Sequence, residues 1–273
     1  MNILKKWTPV LSIMVFTLSV SLAYGQTTPA EEPTKTEKWE FIAVPYFWMA
    51  SISGDVTVHG IPTHMTIPFR DVFKALDFGG QVHMEAWKGK WGGFVDATYI
   101  DLSTGAQGVL PRRGPASGDV GLQEWLVEFG GLYRFGRWPL CKDEKTALTL
   151  EGLVGGRYWN LLQTLDLSIP MTGTFVDASG RKEWIDPFLG ARMRLNLNDK
   201  FSLDLRGDVG GFDVGSQFTY NAVGLVGYNI SRVVSLWLGY RVLGVNYESG
   251  SGFSKFKYDV TMYGPITGIS FRF

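Results

Sequence analysis

From about residue 81 onward, the chain reads as a series of segments in which every second position is apolar. That period of two is the mark of a strand with one face in an apolar medium. Gln81 to Trp87 sets Val82, Met84 and Ala86 against His83 and Glu85. Trp91 to Asp101 sets Val95, Ala97 and Tyr99 against Asp96 and Thr98. Leu122 to Phe135 has Trp125, Val127, Phe129, Tyr133 and Phe135 on one face, with Glu124, Leu126, Glu128 and Arg134 on the other. The alternation continues through segments near 148–159, 185–195, 201–208, 218–229 and 234–242 and into a final run ending at Phe273. The first segment, Trp39 to Ala50, is apolar on both faces and broken by Pro45, so its faces cannot be assigned from pattern.

In each segment the uniformly apolar face suits lipid, and the mixed face suits a crowded lumen. This predicts an all-β, antiparallel up-and-down transmembrane barrel of about ten strands, with eight or twelve as the alternatives. Tight connections at Lys88-Gly89-Lys90, Asn198-Asp199-Lys200 and Asn229 to Arg232 alternate with stretches expected as long loops at 51–80, 103–119, 161–182 and 248–256. Within 51–80, Ser53 to Val58 and Thr63 to Ile67 could form a hairpin. Phe69, Val72, Phe73 and Leu76 then fall at helical spacing, so a short amphipathic helix is expected in this first long loop.

The N-terminus changes the picture from fold to address. Lys5 and Lys6 precede an apolar run from Val10 to Leu22, then Ala23-Tyr24-Gly25. This is the form of a secretory signal, too short to span a bilayer comfortably. Residues 1–25 are expected as a signal peptide, 26–38 as a flexible lead-in, and 39–273 as the barrel. No later stretch has the length of an apolar spanning helix, so a membrane location requires strands. Basic and acidic residues balance at 26 each, which excludes a general attraction to nucleic acid. Aromatics at 14% and 34 glycines suit a barrel with aromatic girdles. The single Cys141 excludes an internal disulfide and reads as incidental.

The ending Gly268-Ile269-Ser270-Phe271-Arg272-Phe273 resembles the C-terminal insertion signal of bacterial outer-membrane proteins, with Gly268, Phe271 and Phe273 in the matching places and Ile266 where that pattern has a polar residue. The region from Trp39 onward resembles a family of largely uncharacterised Gram-negative outer-membrane β-barrel proteins. The resemblance rests on Pro45-Tyr46-Phe47-Trp48, Trp91 to Asp96, Trp184 to Arg192, Arg206 to Phe212 and Leu238 to Arg241. It implies the cell outer membrane as location, with lipid and the barrel-insertion machinery as partners and no established activity.

The candidate functional residues are the inward charges: Glu124, Glu128, Glu151, Arg157, Asp186, Arg192, Arg194, Asp204, Arg206, Asp208 and Arg241. Both signs occur, and a ten-strand lumen is close to the width side chains fill, so these groups are expected to pair across a closed core. A narrow pore lined by the same charges is the sharper alternative. An outer-membrane enzyme acting on lipid or peptide is the alternative reading; it would rest on His59, His64 and His83, none of which has a nucleophile at defensible spacing. The expectation is a monomeric structural or passive-permeation barrel that is not an enzyme and needs no cofactor or metal.

Overall fold

The computed structural model describes residues 38–58, 61–110, 114–141, 145–169 and 174–273. The signal segment, most of the lead-in and His59 lie outside the described residues. The described chain is almost entirely antiparallel strand: β1 (Glu40–Trp48), β2 (Ser51–Val58), β3 (Ile61–Ile67), β4 (Leu76–Lys88), β5 (Trp91–Leu110), β6 (Gly114–Pro139), β7 (Ala147–Ile169), β8 (Thr174–Asn196), β9 (Phe201–Gly211), β10 (Phe218–Asn229), β11 (Val234–Ser249) and β12 (Phe256–Arg272). The predicted helix is present as α1 (Phe69–Lys74), between β3 and β4.

Ten of these strands close the barrel, in the order β1-β4-β5 through β12, with β12 pairing back to β1. β2 and β3 belong to the same sheet but lie outside that ring, as a hairpin added to the upper part of β12. The hairpin therefore brings the sheet to twelve strands without making a twelve-strand barrel. β1, whose faces pattern could not assign, turns Ile42 and Trp48 inward and Phe41 and Phe47 outward. Pro45 sits opposite Val82 of β4, while toward β12 the paired residues are Ala43 with Phe271 and Tyr46 with Gly268. A residue without an N–H is tolerated there because the ladder on either side carries the closure.

Two stretches expected as loops are strands instead. β5 and β6 continue pairing out to Leu110 and Gly114, and β7 and β8 out to Ile169 and Thr174. Their Gly- and Ser-rich composition obscures the alternation, and where the strands begin to project, at Ser103 to Gly105 and Ser179 to Arg181, consecutive residues are exposed. The ladder persists on backbone hydrogen bonds that need no apolar face.

The exterior carries large exposed apolar side chains, among them Phe129, Val154, Leu189, Leu205 and Leu238. On β5 and β6, Trp91 packs tilted against Tyr133 at 4.6 Å toward the turn end, and Tyr99 against Trp125 at 4.6 Å toward the loop end. Trp91 and Tyr99 are eight residues apart on β5, which gives about 20 Å of height at a tilt of ~40°. A band of that height bounded by aromatic rings is what a hydrocarbon layer selects. The molecule is a transmembrane β-barrel.

The closure between β1 and β12 is directly testable. In a Cys141→Ser background, Ala43→Cys with Phe271→Cys is expected to form an intramolecular disulfide on oxidation of the folded protein. Facing positions across a ladder lie within disulfide reach. Non-reducing electrophoresis reads the outcome, and a pair that stays reduced argues against ten-strand closure.

Candidate functional site: a charged layer across the lumen

The period-two alternation sends the polar residues of every barrel strand except the closing one into a shared interior, where they form two connected layers. The central layer is built on Glu128 (β6), which is fully buried. It accepts hydrogen bonds from Arg157 Nε at 2.8 Å, Arg206 Nη2 at 2.8 Å and Arg241 Nη2 at 2.9 Å. Arg157 spans onward to Asp208, which accepts from its Nη2 at 2.7 Å, and donates through Nη1 to Thr219 at 3.1 Å. Asp208 also accepts from Arg206 Nε at 3.0 Å and Asn221 Nδ2 at 2.9 Å. Aromatic rings wall these cations: Arg157 lies 5.1 Å from the centre of Phe188, and Arg206 lies 5.2 Å from that of Phe94.

The second layer lies toward the turns. Arg192 reaches Glu85 across the barrel and donates from Nε to Glu151 at 2.7 Å. Arg134 adds a 3.0 Å bond to Glu151. Arg194 holds Asp204 through Nε at 2.8 and 3.0 Å. His83 joins the layers, with Nε2 at 2.9 Å from Glu85 and Nδ1 at 3.0 Å from Asp96. Tyr46 donates to Asp96 at 2.7 Å.

Nine of the eleven charges named from pattern thus meet as ion pairs. The other two do not. Asp186 makes no ion pair among the described residues; it accepts from Ser216 N at 2.5 Å, Ser216 Oγ at 2.8 Å, Trp159 Nε1 at 3.0 Å and Trp184 Nε1 at 3.2 Å. The neighbour that pairing places beside it, Arg157, is already committed to Glu128 and Asp208. Glu124 points into an apolar space, and neither a hydrogen bond nor an ion pair reaches it among the described residues. Pattern reasoning left Tyr46, His83, Glu85 and Asp96 out of the network. The inward positions of the last three were legible; His83 and Asp96 face each other on the β4–β5 ladder, whereas the arginines that reach Glu85 and Asp96 come from β8 and β11.

Above the charged layer the lumen is filled with apolar and aromatic side chains. Trp159 stacks on Trp184 at 5.6 Å, Trp184 on Tyr247 at 4.0 Å, and Leu126, Leu161, Leu243 and Val245 fill the space around them. Below it, toward the turns, a cavity of about 1060 Å³ opens, lined by Arg134, Arg192, Arg194, Asp204 and Trp237 among others. The wide part of the lumen among the described residues thus lies on the turn side, as a vestibule beneath the packed aromatic layer.

The exposed His64 pairs with Asp55 on the hairpin at 2.8 Å. Among the described residues no group of three or more His, Cys, Asp or Glu could hold a metal. Cys141 is exposed and free. Gly268 lies in the β12 ladder opposite Trp237 and Tyr46, Phe271 opposite Val234 and Ala43, and Phe273 pairs its backbone with Phe41 at 2.9 and 3.1 Å.

A closed antiparallel barrel with an apolar belt and a charged interior defines the class: an outer-membrane-type β-barrel protein. No protein-family model matches the chain, and no curated protein matches it. Among solved structures, the translocator domain of the autotransporter NalP from Neisseria meningitidis is 14% identical, covering 88% of this chain and 90% of its own, with a TM-score of 0.39. Ail, the attachment invasion locus protein of Yersinia pestis, is 15% identical over 87% of this chain and 99% of its own, at 0.31. Neisserial surface protein A is 13% identical over 87% and 100%, at 0.30. The barrel assignment stands on the strand pairing itself.

Depth in the network sets the expected cost of removing a charge. Glu128→Ala leaves three guanidinium groups short of an acceptor in a fully buried site, and a loss of about 3–5 kcal/mol is expected. Arg194→Ala breaks a partly solvated pair and is expected to cost about 1 kcal/mol or less. Urea unfolding of the refolded protein in detergent orders the two, and equal losses would contradict a gradient of burial.

Proposed function

We propose that the protein is a structural barrel of the outer membrane whose lumen does not conduct. The observation that carries this reading is Arg157, fully buried and bonded at once to Glu128, Asp208 and Thr219 on three other strands. A side chain tied to three walls crosses the lumen as a strut, and the Trp159–Trp184–Tyr247 stack seals the space above it. Ions passing this layer would meet no water path and would have to displace fully paired groups, which is costly in a narrow interior. The vestibule below gives solutes on the turn side a pocket and no exit.

The alternative, an outer-membrane enzyme acting on lipid or peptide, draws less support. Both ring nitrogens of His83 face carboxylates, so neither is available to take a proton from a nucleophile. The His64–Asp55 pair sits on a hairpin with both side chains exposed to water, unlike the concave sites that hold substrates.

Planar-bilayer recording tests the reading. The native protein is expected to show no stepwise current, while Trp159→Ala with Trp184→Ala, which empties the seal above the strut, is expected to admit small, unstable steps. Large, stable currents from the native protein would overturn the sealed lumen.

A further inference from the structure

The barrel wall is continuous in its turn-end half but splits higher up. β1 pairs with β4 from Glu40 to Pro45 and no further. Above that, β12 takes β2 as its neighbour and β2 takes β3, while the far edge of β3 pairs with no strand among the described residues. The upper part of β4 is paired on the β5 side alone. A seam therefore separates β3 from the β4–β5 pair, and α1 bridges it. Phe69 N donates to Ser51 Oγ of β2 at 2.9 Å, and Ala75 O, just past the helix, accepts from Ser103 N of β5 at 2.8 Å. At the foot of the seam a side chain replaces the missing ladder: Trp48 N donates to Gln81 Oε1 at 2.6 Å.

Beneath α1 is a small cavity of about 20 Å³, walled mainly by aliphatic groups such as Ile52, Val72, Leu122 and Met262. Trp48 and Glu124 also line it. Trp48 Nε1 is buried with no hydrogen-bond partner. Glu124 is 4% exposed and likewise has neither hydrogen bond nor ion pair among the described residues. Leaving buried polar groups unmatched is expensive, and native interiors leave few so. Here the two are complementary, since an indole N–H only donates and the carboxyl group of Glu124 offers an acceptor oxygen. A single hydroxyl seated between them would serve both, its oxygen accepting from the indole and its hydrogen going to the carboxyl. The cavity volume matches one such group.

The seam says where the rest of the molecule comes from. The outer side of α1 is aromatic: Phe47 meets Phe69 at 5.9 Å and Phe73 at 6.5 Å, and Phe73 is 56% exposed on the lipid side. The helix has six residues, and Val72 is the one it buries. It is a lightly held lid between hydrocarbon outside and an aliphatic cavity inside. We propose that the space under α1 binds a small apolar alcohol entering through the seam from the lipid. Its hydroxyl bridges Trp48 and Glu124, and its hydrocarbon body displaces Val72 against the aliphatic lining.

The test uses the refolded chain in detergent, with indole nitrogens labelled for NMR and the Trp48 resonance identified by its loss in Trp48→Phe. Cyclohexanol is expected to shift that resonance saturably, and methylcyclohexane, of similar shape without the hydroxyl, to leave it in place. Glu124→Leu is expected to weaken cyclohexanol binding about tenfold, as leaving a buried hydroxyl without its acceptor would. Val72→Trp fills the cavity from the lid, leaves both polar groups intact and is expected to do the same. A Trp48 resonance that contacts water and does not respond to cyclohexanol would assign the cavity to a structural water and overturn the proposal. Equal shifts from both probes would overturn the hydroxyl bridge. Conductance does not enter this readout, so failure here is distinct from failure of the sealed lumen.

Discussion

Glu128 is a carboxylate with no exposure that accepts from three guanidinium groups, and the rest of the interior is arranged to make that tolerable. An isolated charge in such a place would be prohibitively costly. Three arginines around one carboxylate would only invert the problem, so Asp208 and Asp96 join from other walls. Polar neutral groups, Thr219, Asn221 and Tyr46, take up remaining donors. Each member is held by partners on different strands, so the network fixes strands relative to one another. That positional specificity is its best-supported consequence, since buried ion pairs are weak evidence of net stabilisation.

The layer also divides the barrel. Toward the turns, salt bridges become partly solvated and open into the vestibule. Toward the loops, water is replaced by stacked tryptophans whose N–H groups all but converge on Asp186. Asp186 does there, for two indoles and Ser216, what Glu128 does for the arginines. A single inward carboxylate can thus organise either cations or neutral donors, depending on what the facing strands bring. The outer surface obeys a simpler rule, because lipid asks only for apolar side chains and a satisfied backbone.

Much of this was legible from alternation. The inward and outward faces of β4 through β12, the tight turns, the helix before β4 and the ten-strand ring all follow from period two and turn chemistry. Less legible was where alternation fades. The projecting ends of β5 to β8 resemble loops because their composition is rich in Gly and Ser and shows no single apolar face. β1 resembles nothing in particular because its lipid face and its inner face, with Ile42 and Val44 on the vestibule, are both apolar. Within the network, Glu128 with Arg157 and Arg194 with Asp204 are ladder neighbours, but the pairings that cross the lumen were not legible. Register sets Arg192 directly opposite Arg206, and Asp96 opposite Glu128, two like-charge pairs that neighbours alone would make unfavourable. Both are relieved by opposite charges: Glu85 reaches Arg192 and Arg241 reaches Asp96 from across the lumen, and His83 meets Asp96 as its ladder neighbour on β4.

What the sequence by itself determined is the side of the wall on which each residue stands, because the two-residue period is a local property of an extended chain. Which inward charge meets which, that Glu124 is left out, and that the wall parts beside β3 were decided by tertiary structure. Those depend on the stagger of the strands and on the closure of the sheet, which bring together residues as far apart as Glu85 and Arg192. No local pattern encodes that distance; only the curvature of the closed sheet does.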